Sequence, residues 1–463
     1  MPALALLGGK KVRDTLLPSQ NTIGEEEIAA ANRVLRGGLL TGYQANAERM
    51  MGGPEVQALE AEWEAAYGAQ GRKLHCVAVN SCTSGLVVAC GAVGIKPGDE
   101  VIVTPFSMTC SATAPMAWGG VPVFADVDPM SFNLDPEDVE RKITPRTKAI
   151  IVVDLFGLPY DKRIDEVAER HGLKVIEDAA QAVGATRGPI GEQQYAGTLG
   201  HIGVHSFNLG KHLTCGEGGL ICTYDEDLAM RCRLLMNHAE AVVNSLQDAR
   251  DQAGVPFVIS VPGRSNLFGF NLRMTEVSAA IVRVQLSRRE WLIGQRVKNA
   301  HELKIMLNKI PEIHPGFYTP KMGITHTHYV IPLLFNISKH WGVHRDIVVE
   351  AVRAELMPCA GREWEGVPVG GGYIKPIWRM PLFQSKSCVH EYYGEYPMMG
   401  DEPLRTRTIY PYRKVKTPVC DRLWQEDLII IHRLFGPNAD EQNLRDVADA
   451  FCKVWENREE LRA

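Results

Sequence analysis

The chain has 463 residues, 45% hydrophobic and 23% charged, with a formal net charge of −5. That length exceeds one ordinary core, so a large domain with a smaller one is expected. Basic and acidic residues interleave, which leaves no electrostatic footprint for nucleic acid or an anionic membrane and points to a small-molecule partner. At the N-terminus, the apolar run in MPALALLGGKKVR is too short for a signal segment and its basic residues follow it. No later stretch has the apolar length of a membrane span, so a cytoplasmic location is expected. The eleven cysteines form no Cys-x-x-Cys pair, which argues against a disulfide scaffold or zinc ribbon and for small buried hydrophobes.

From residue 75 strands and helices alternate. HCVAV (75–79) reads as a strand, TSGLVVACGAVG (83–94) as a helix and DEVIV (99–103) as a strand. SATAPMAWGG (111–120), VPVFADV (121–127), DPEDVERKI (135–143) and KAIIVV (148–153) continue as helix, strand, helix and strand. DKRIDEVAERHG (161–172) is a helix closed by glycine, LKVIED (173–178) a strand, and 205–221 a strand, turn and strand. Short apolar runs separated by helical stretches predict βαβ units, hence an α/β fold with a mainly parallel sheet covered on both faces. Residues 240–268 show weak periodicity and read as an insertion. One unbroken helical pattern over 273–310 bridges to a smaller α+β region with a strand in THTHYVIPLLF (325–335), a helix at 344–356, a loop-rich stretch over 357–416 and an amphipathic terminal helix from 439. The expected organisation is an N-terminal arm over 1–30, a large domain over 31–290 and a small domain over 291–463.

In such sheets ligands collect at the carboxyl ends of the strands, and three features stand there. NSCTSG (80–85) offers the Thr83 and Ser84 hydroxyls at a helix start, a phosphate cradle or simply a helix cap. Asp178 ends an apolar strand, where a carboxylate needs a cation or hydrogen-bond donors. Lys211 stands alone between Ser-Phe and Gly-Glu-Gly-Gly; taken singly it is a solvated surface amine, but at the ligand edge it is a carbonyl nucleophile. A phosphate cup, a carboxylate for a pyridinium nitrogen and a Schiff-base lysine together are what pyridoxal 5'-phosphate requires.

On these segments the sequence resembles the DegT/DnrJ/EryC1/StrS sugar aminotransferases, fold-type-I enzymes dependent on pyridoxal phosphate, over nearly its whole length. The resemblance implies that Asp178 in VIEDAAQAVGA bonds the pyridine nitrogen and Gln181 lies near the ring hydroxyl. In HSFNLGKHLTCGEGG it assigns Ser206 to the phosphate and Lys211 to the Schiff base, and in NSCTSGL it assigns Thr83 and Ser84 to the phosphate. Asn271 in GFNLRMTE corresponds to an asparagine that reaches the neighbouring subunit's cofactor, which implies a homodimer with shared sites. In PFSMTCSAT the ring-stacking position falls on Met108, with Phe106 two residues earlier. Cys82 stands where glycine is usual, and Ala239 in MNHAE where glycine is expected.

The implied activity is amino transfer from L-glutamate or L-glutamine to a keto-sugar or keto-cyclitol, with a slant to the cyclitol and aminohydroxybenzoate branches. A dehydratase branch carries histidine in place of the lysine; here Lys211 holds that position and His212 follows it. A lyase or dehydratase, or an inert regulatory member, are the alternative readings, and the retained Asp178, Gln181, Ser206 and Lys211 argue against decay. Lys375 and Trp378 in YIKPIWRMPLFQ are as readily domain packing as substrate contacts. His326 and His328 at alternate positions lack a third metal ligand and read as sheet histidines; no metal is expected.

Overall fold

The computed structural model describes residues 3–43, 50–239, 268–315, 323–335, 342–385 and 410–462; all but Phe268 of the expected 240–268 insertion lies outside them. Its centre is a seven-stranded sheet built from β1 (His75–Val79), β2 (Glu100–Val103), β3 (Val121–Phe124), β4 (Thr147–Val153), β5 (Lys174–Asp178), β8 (Ile202–Ser206) and β9 (Gly219–Thr223). A two-stranded hairpin, β6 (Thr186–Arg187) and β7 (Gln194–Tyr195), stands apart. The order across the large sheet is β1-β9-β8-β5-β4-β2-β3, with antiparallel pairing only at β1–β9 and β9–β8. The α/β architecture expected from the alternating pattern is therefore present. Strands β2, β8 and β9 are buried at every position, which is why they read as continuous apolar runs and not as alternating ones.

The crossover helices carry the signals that specify them. In α6 (Arg163–His171) Ile164, Val167 and Ala168 face the sheet, acidic residues fill the first turn and basic ones the last, and Gly172 closes it at φ 64°. Helix α3 (Cys82–Ala92) is capped by the Ser81 hydroxyl, which accepts from the Ser84 N–H at 3.1 Å. The pattern over 273–310 is not one helix. It divides into α8 (Glu276–Ser287) and α9 (Arg289–Leu307), and at the break the Arg288 guanidinium pairs at 2.9 Å with buried Glu27 of α1 (Glu25–Gly37). This is a tertiary contact with no local breaker residue to announce it.

The second lobe holds a four-stranded antiparallel sheet, in order β10 (Ile313–Pro315), β11 (Val330–Phe335), β13 (Leu428–His432) and β12 (Val369–Gly371). The terminal helix α11 (Glu441–Glu456) buries Leu444, Val447, Phe451 and Val454 in the core that this sheet shares with α9 and with α10 (Arg345–Ala354). His326 and His328 lie before β11 and not within it; their rings are 3.9 Å apart and the His326 Nδ1 accepts from the His328 N–H at 3.0 Å. Among the described residues no cluster of three His, Cys, Asp or Glu could hold a metal, and no helix is long and apolar enough to cross a membrane.

Candidate functional site

The carboxyl ends of β5 and β8 and the start of α3 meet at one place, and the cause lies in the glycines of the Gly-Glu-Gly-Gly turn. Gly216 takes φ 93°, which only glycine adopts freely, and a Cβ on Gly219 would stand 2.6 Å from the Ser81 carbonyl carbon and 2.7 Å from the Cys82 nitrogen. The backbone after Lys211 thus runs directly against the helix start that carries Thr83 and Ser84.

Asp178 ends β5 and is 3% exposed. Its Oδ2 accepts from Ser111 Oγ at 3.0 Å, and its Oδ1 accepts from the Ala180 N–H at 3.2 Å and from the Cys82 thiol at 3.7 Å. Burial pushes its carboxyl above the usual range, while the Lys211 ammonium and these donors pull it back down without cancelling the shift. A buried carboxylate with surplus negative character calls for a further cation, and a protonated pyridine nitrogen is one. Gln181, also buried, accepts from the Phe156 N–H at 2.8 Å and donates to the Tyr373 hydroxyl at 3.0 Å. Ser206 ends β8 and its hydroxyl caps the Asn208 N–H at 3.3 Å.

Lys211 stands in the turn after β8, its Nζ 4.4 Å from the centre of the Tyr329 ring. The neighbouring His212 cannot take its place: it is buried, its Nε2 is 3.0 Å from the Thr327 carbonyl, and burial holds its pKa well below the usual range. The donor set therefore fits pyridoxal phosphate, with amine, buried carboxylate, glutamine and helix N–H groups around one space.

Thr83 and Ser84 are at the first turn of α3, Thr83 exposed and Ser84 half-buried. Met108 is 56% exposed, one turn before the serine that donates to Asp178; Phe106 is buried edge-on between Phe156 and Tyr373 and has no face left for a ligand. Asn271 is exposed and bridges Asn237, with no contact to Asp178 or Lys211. Trp378 is buried and donates to Thr417 Oγ1 at 2.8 Å, a packing role, and Lys375 is exposed. Three participants carried no sequence signal of their own. Ser111 lies in an ordinary helical stretch, whereas Tyr329 and Tyr373 arrive from the second lobe. Tyr373 also lines a cleft of about 590 Å³ shared with His432 and Arg433, a size suited to a small ligand.

Comparison with known proteins identifies the family and the fold. Residues 21–392 match the model of the DegT/DnrJ/EryC1/StrS aminotransferase family. The chain is 34% identical over 466 residues, 99% of its length and 98% of the other's, to L-glutamine:2-deoxy-scyllo-inosose aminotransferase of Streptomyces kanamyceticus. It is 40% identical to GDP-perosamine synthase of Caulobacter vibrioides, but over 276 residues, 57% of this chain and 68% of that one. An aminotransferase of Psychrobacter cryohalolentis superposes with TM-score 0.75 at 25% identity, covering 96% of this chain and all of the other. The chain belongs to the DegT/DnrJ/EryC1/StrS family and is a pyridoxal-phosphate-dependent aminotransferase.

Proposed function

We propose that this enzyme moves the amino group of L-glutamine to the keto group of a keto-cyclitol. The observation that carries the reading is the extent of the similarity. In sequence the chain aligns end to end with L-glutamine:2-deoxy-scyllo-inosose aminotransferase, whereas its sequence match to GDP-perosamine synthase covers 57% of it. The described chain beyond residue 392 includes β13 and α11 of the second lobe, and that lobe brings Tyr329 and Tyr373 to the site.

Pyridoxal phosphate, when bound, supplies a carbonyl that carries the amino group and a ring that accepts electron density. Thr83, Ser84 and Ser206 would bind its phosphate at the start of α3. Asp178 would face its ring nitrogen, held in aim by Ser111, Ala180 and Cys82. Gln181, fixed between Phe156 and Tyr373, would orient the ring hydroxyl. Lys211 would hold the cofactor and, as a free amine, would take the proton from the donor's Cα and return one to the acceptor carbon, roles that geometry decides before pKa does. Asn271 would complete the site of a second copy of the chain, making the working unit a homodimer.

Holoenzyme offered L-glutamine with either a keto-inositol or a keto-sugar nucleotide tests this. We expect cyclitol turnover to exceed sugar-nucleotide turnover in kcat/KM by about tenfold or more, ~1.4 kcal/mol in transition-state binding. Amination of the nucleotide sugar alone would overturn the substrate class.

A further inference from the structure

Cys76 on β1 and Cys222 on β9 oppose each other directly across the antiparallel ladder, and the chemistry above uses neither. Their sulfurs stand 3.7 Å apart. Directly opposed residues of such a pair have Cα atoms about 4.5–5.5 Å apart, inside the range that a disulfide spans. Rotation of the two side chains therefore closes the remaining gap while the strands stay in register. Both residues are fully buried, and a thiol that only fills space needs no polar neighbour. This pair has one. The His205 ring on β8 lies beside Cys222, and neither of its nitrogens finds an oxygen or nitrogen partner among the described residues. Trp63 and Tyr67 of α2 (Pro54–Tyr67) wall the ring, with centroids 4.9 and 6.5 Å from it.

The two sulfurs are chemically unlike. Burial pushes both thiols up, but the Cys76 thiol and the His205 ring bring Cys222 below the usual thiol range, while Cys76 stays well above it. Cys222 is thus the nucleophile and Cys76 the thiol that resolves. A way in from the surface exists as well. Tyr224, two residues past Cys222, and Thr198, next to the Gly197 that the His205 ring abuts, line a cleft of about 570 Å³. In addition, β1 is the edge strand of the large sheet, where local opening costs least. Enclosed sulfurs of this kind admit a reagent little larger than water and turn away a bulky one.

We infer that Cys76 and Cys222 form a redox modification site, at which hydrogen peroxide closes a cross-strand disulfide that clamps edge strand β1 to β9. The Cys222 thiolate attacks one peroxide oxygen and the O–O bond breaks. The departing oxygen takes the proton held at His205 and leaves as water, and Cys222 becomes a sulfenic acid. The Cys76 sulfur then displaces that hydroxyl, which leaves as a second water with the Cys76 proton. Two thiols are oxidised and one peroxide is reduced to two waters. The tie lies beneath the start of α3: β1 runs through Asn80 into the Ser81 cap, and β9 begins at Gly219 against the same cap.

The test starts from fully reduced wild-type holoenzyme, treated with hydrogen peroxide, quenched by alkylation and peptide-mapped without reduction. The expected product is a Cys76–Cys222 link that dithiothreitol reverses. The oxidised protein should melt about 5 °C or more above the reduced one, and Cys76→Ala and Cys222→Ala should each lose that shift. In Cys76→Ala, dimedone should trap a sulfenic acid at Cys222. Glutathione disulfide should leave the pair reduced, and oxidation by it as readily as by peroxide would overturn the choice of oxidant. Half-buried Cys110, Cys215 and Cys452 serve as internal controls. Thiols 76 and 222 still reduced at a peroxide dose that oxidises those three would overturn the assignment, as would a link from either to a different cysteine. A Cys76–Cys222 link without a rise in the midpoint would overturn the clamp.

Discussion

Asp178 shows how a site residue works against the fold that carries it. Its carboxyl pKa is raised by burial, so before the cofactor is present its stability contribution is greatest in acid and is lost as pH rises through the folded pKa. Asp178→Asn keeps partners for Ser111 and Ala180 and removes the charge. The cofactor-free variant should therefore withstand more denaturant than the wild type at pH 8, by about 1–3 kcal/mol, with the difference shrinking toward acid. The same change should slow the half-reaction with L-glutamine by on the order of a hundredfold or more, because the charge that faces the developing electron density is gone. Urea titrations at two pH values and a stopped-flow trace of the cofactor's visible absorbance measure the two effects; a variant both less stable and equally fast would contradict the placement of this carboxylate.

At the scale of elements, the contact of β9 with the start of α3 sets the end of the site proposed to hold the phosphate. Gly219→Ala would drive a methyl group into the Ser81–Cys82 backbone, and since backbone at a helix cap has little room to yield, about 1–3 kcal/mol of strain is expected. Cofactor should then dissociate more readily, seen as loss of visible absorbance on gel filtration. Gly294→Ala on α9 meets nothing within 4 Å and should instead stabilise the protein by about 0.5–1 kcal/mol, which makes it the control. These elements were legible in the sequence because each is locally consistent. Asp178 stands where an apolar run ends, the Ser81 cap precedes a helical pattern, and the glycines cluster beside the lysine. Ser111 and Tyr373 were not legible, since each is an ordinary residue in its own segment and meets Asp178 or Gln181 from chain 67 or 192 positions away. The break at Arg288 was hidden for the same reason: Glu27, its ion-pair partner, is 261 positions distant.

The second lobe has a core of its own, joined to the large domain by a further cluster in which Phe106, Val153 and Phe156 meet Val330, Leu428 and Ile430, and the chain's first residues belong to that second core. Leu4 and Leu17 are buried in the cluster formed by α9, α10, β11, β13 and α11. The segment is stitched there by Ala5 N–H to Glu355 Oε1 at 2.8 Å, by Leu17 N–H to the Pro358 carbonyl at 3.0 Å and by Arg13 to Asp446 at 2.7 Å. Although it begins the sequence, this stretch closes a core completed only by the last helix, so its contribution to folding is of the longest range in the molecule. Leu17→Ala leaves a cavity in that core and should cost about 2–5 kcal/mol. The cost should fall on the lobe that carries Arg433 and not on the sheet that carries Asp178 and Lys211, because the packing around Ile176, Val204 and Phe207 is a different cluster. Tryptophan fluorescence and cofactor absorbance followed in the same guanidinium titration separate the cases. Loss of the second lobe's signal at lower denaturant, with the cofactor's visible absorbance persisting, is the expected result. Coincident transitions would instead mean that the contacts of Tyr373 and Arg433 with the cofactor-binding side weld the two cores into one cooperative unit.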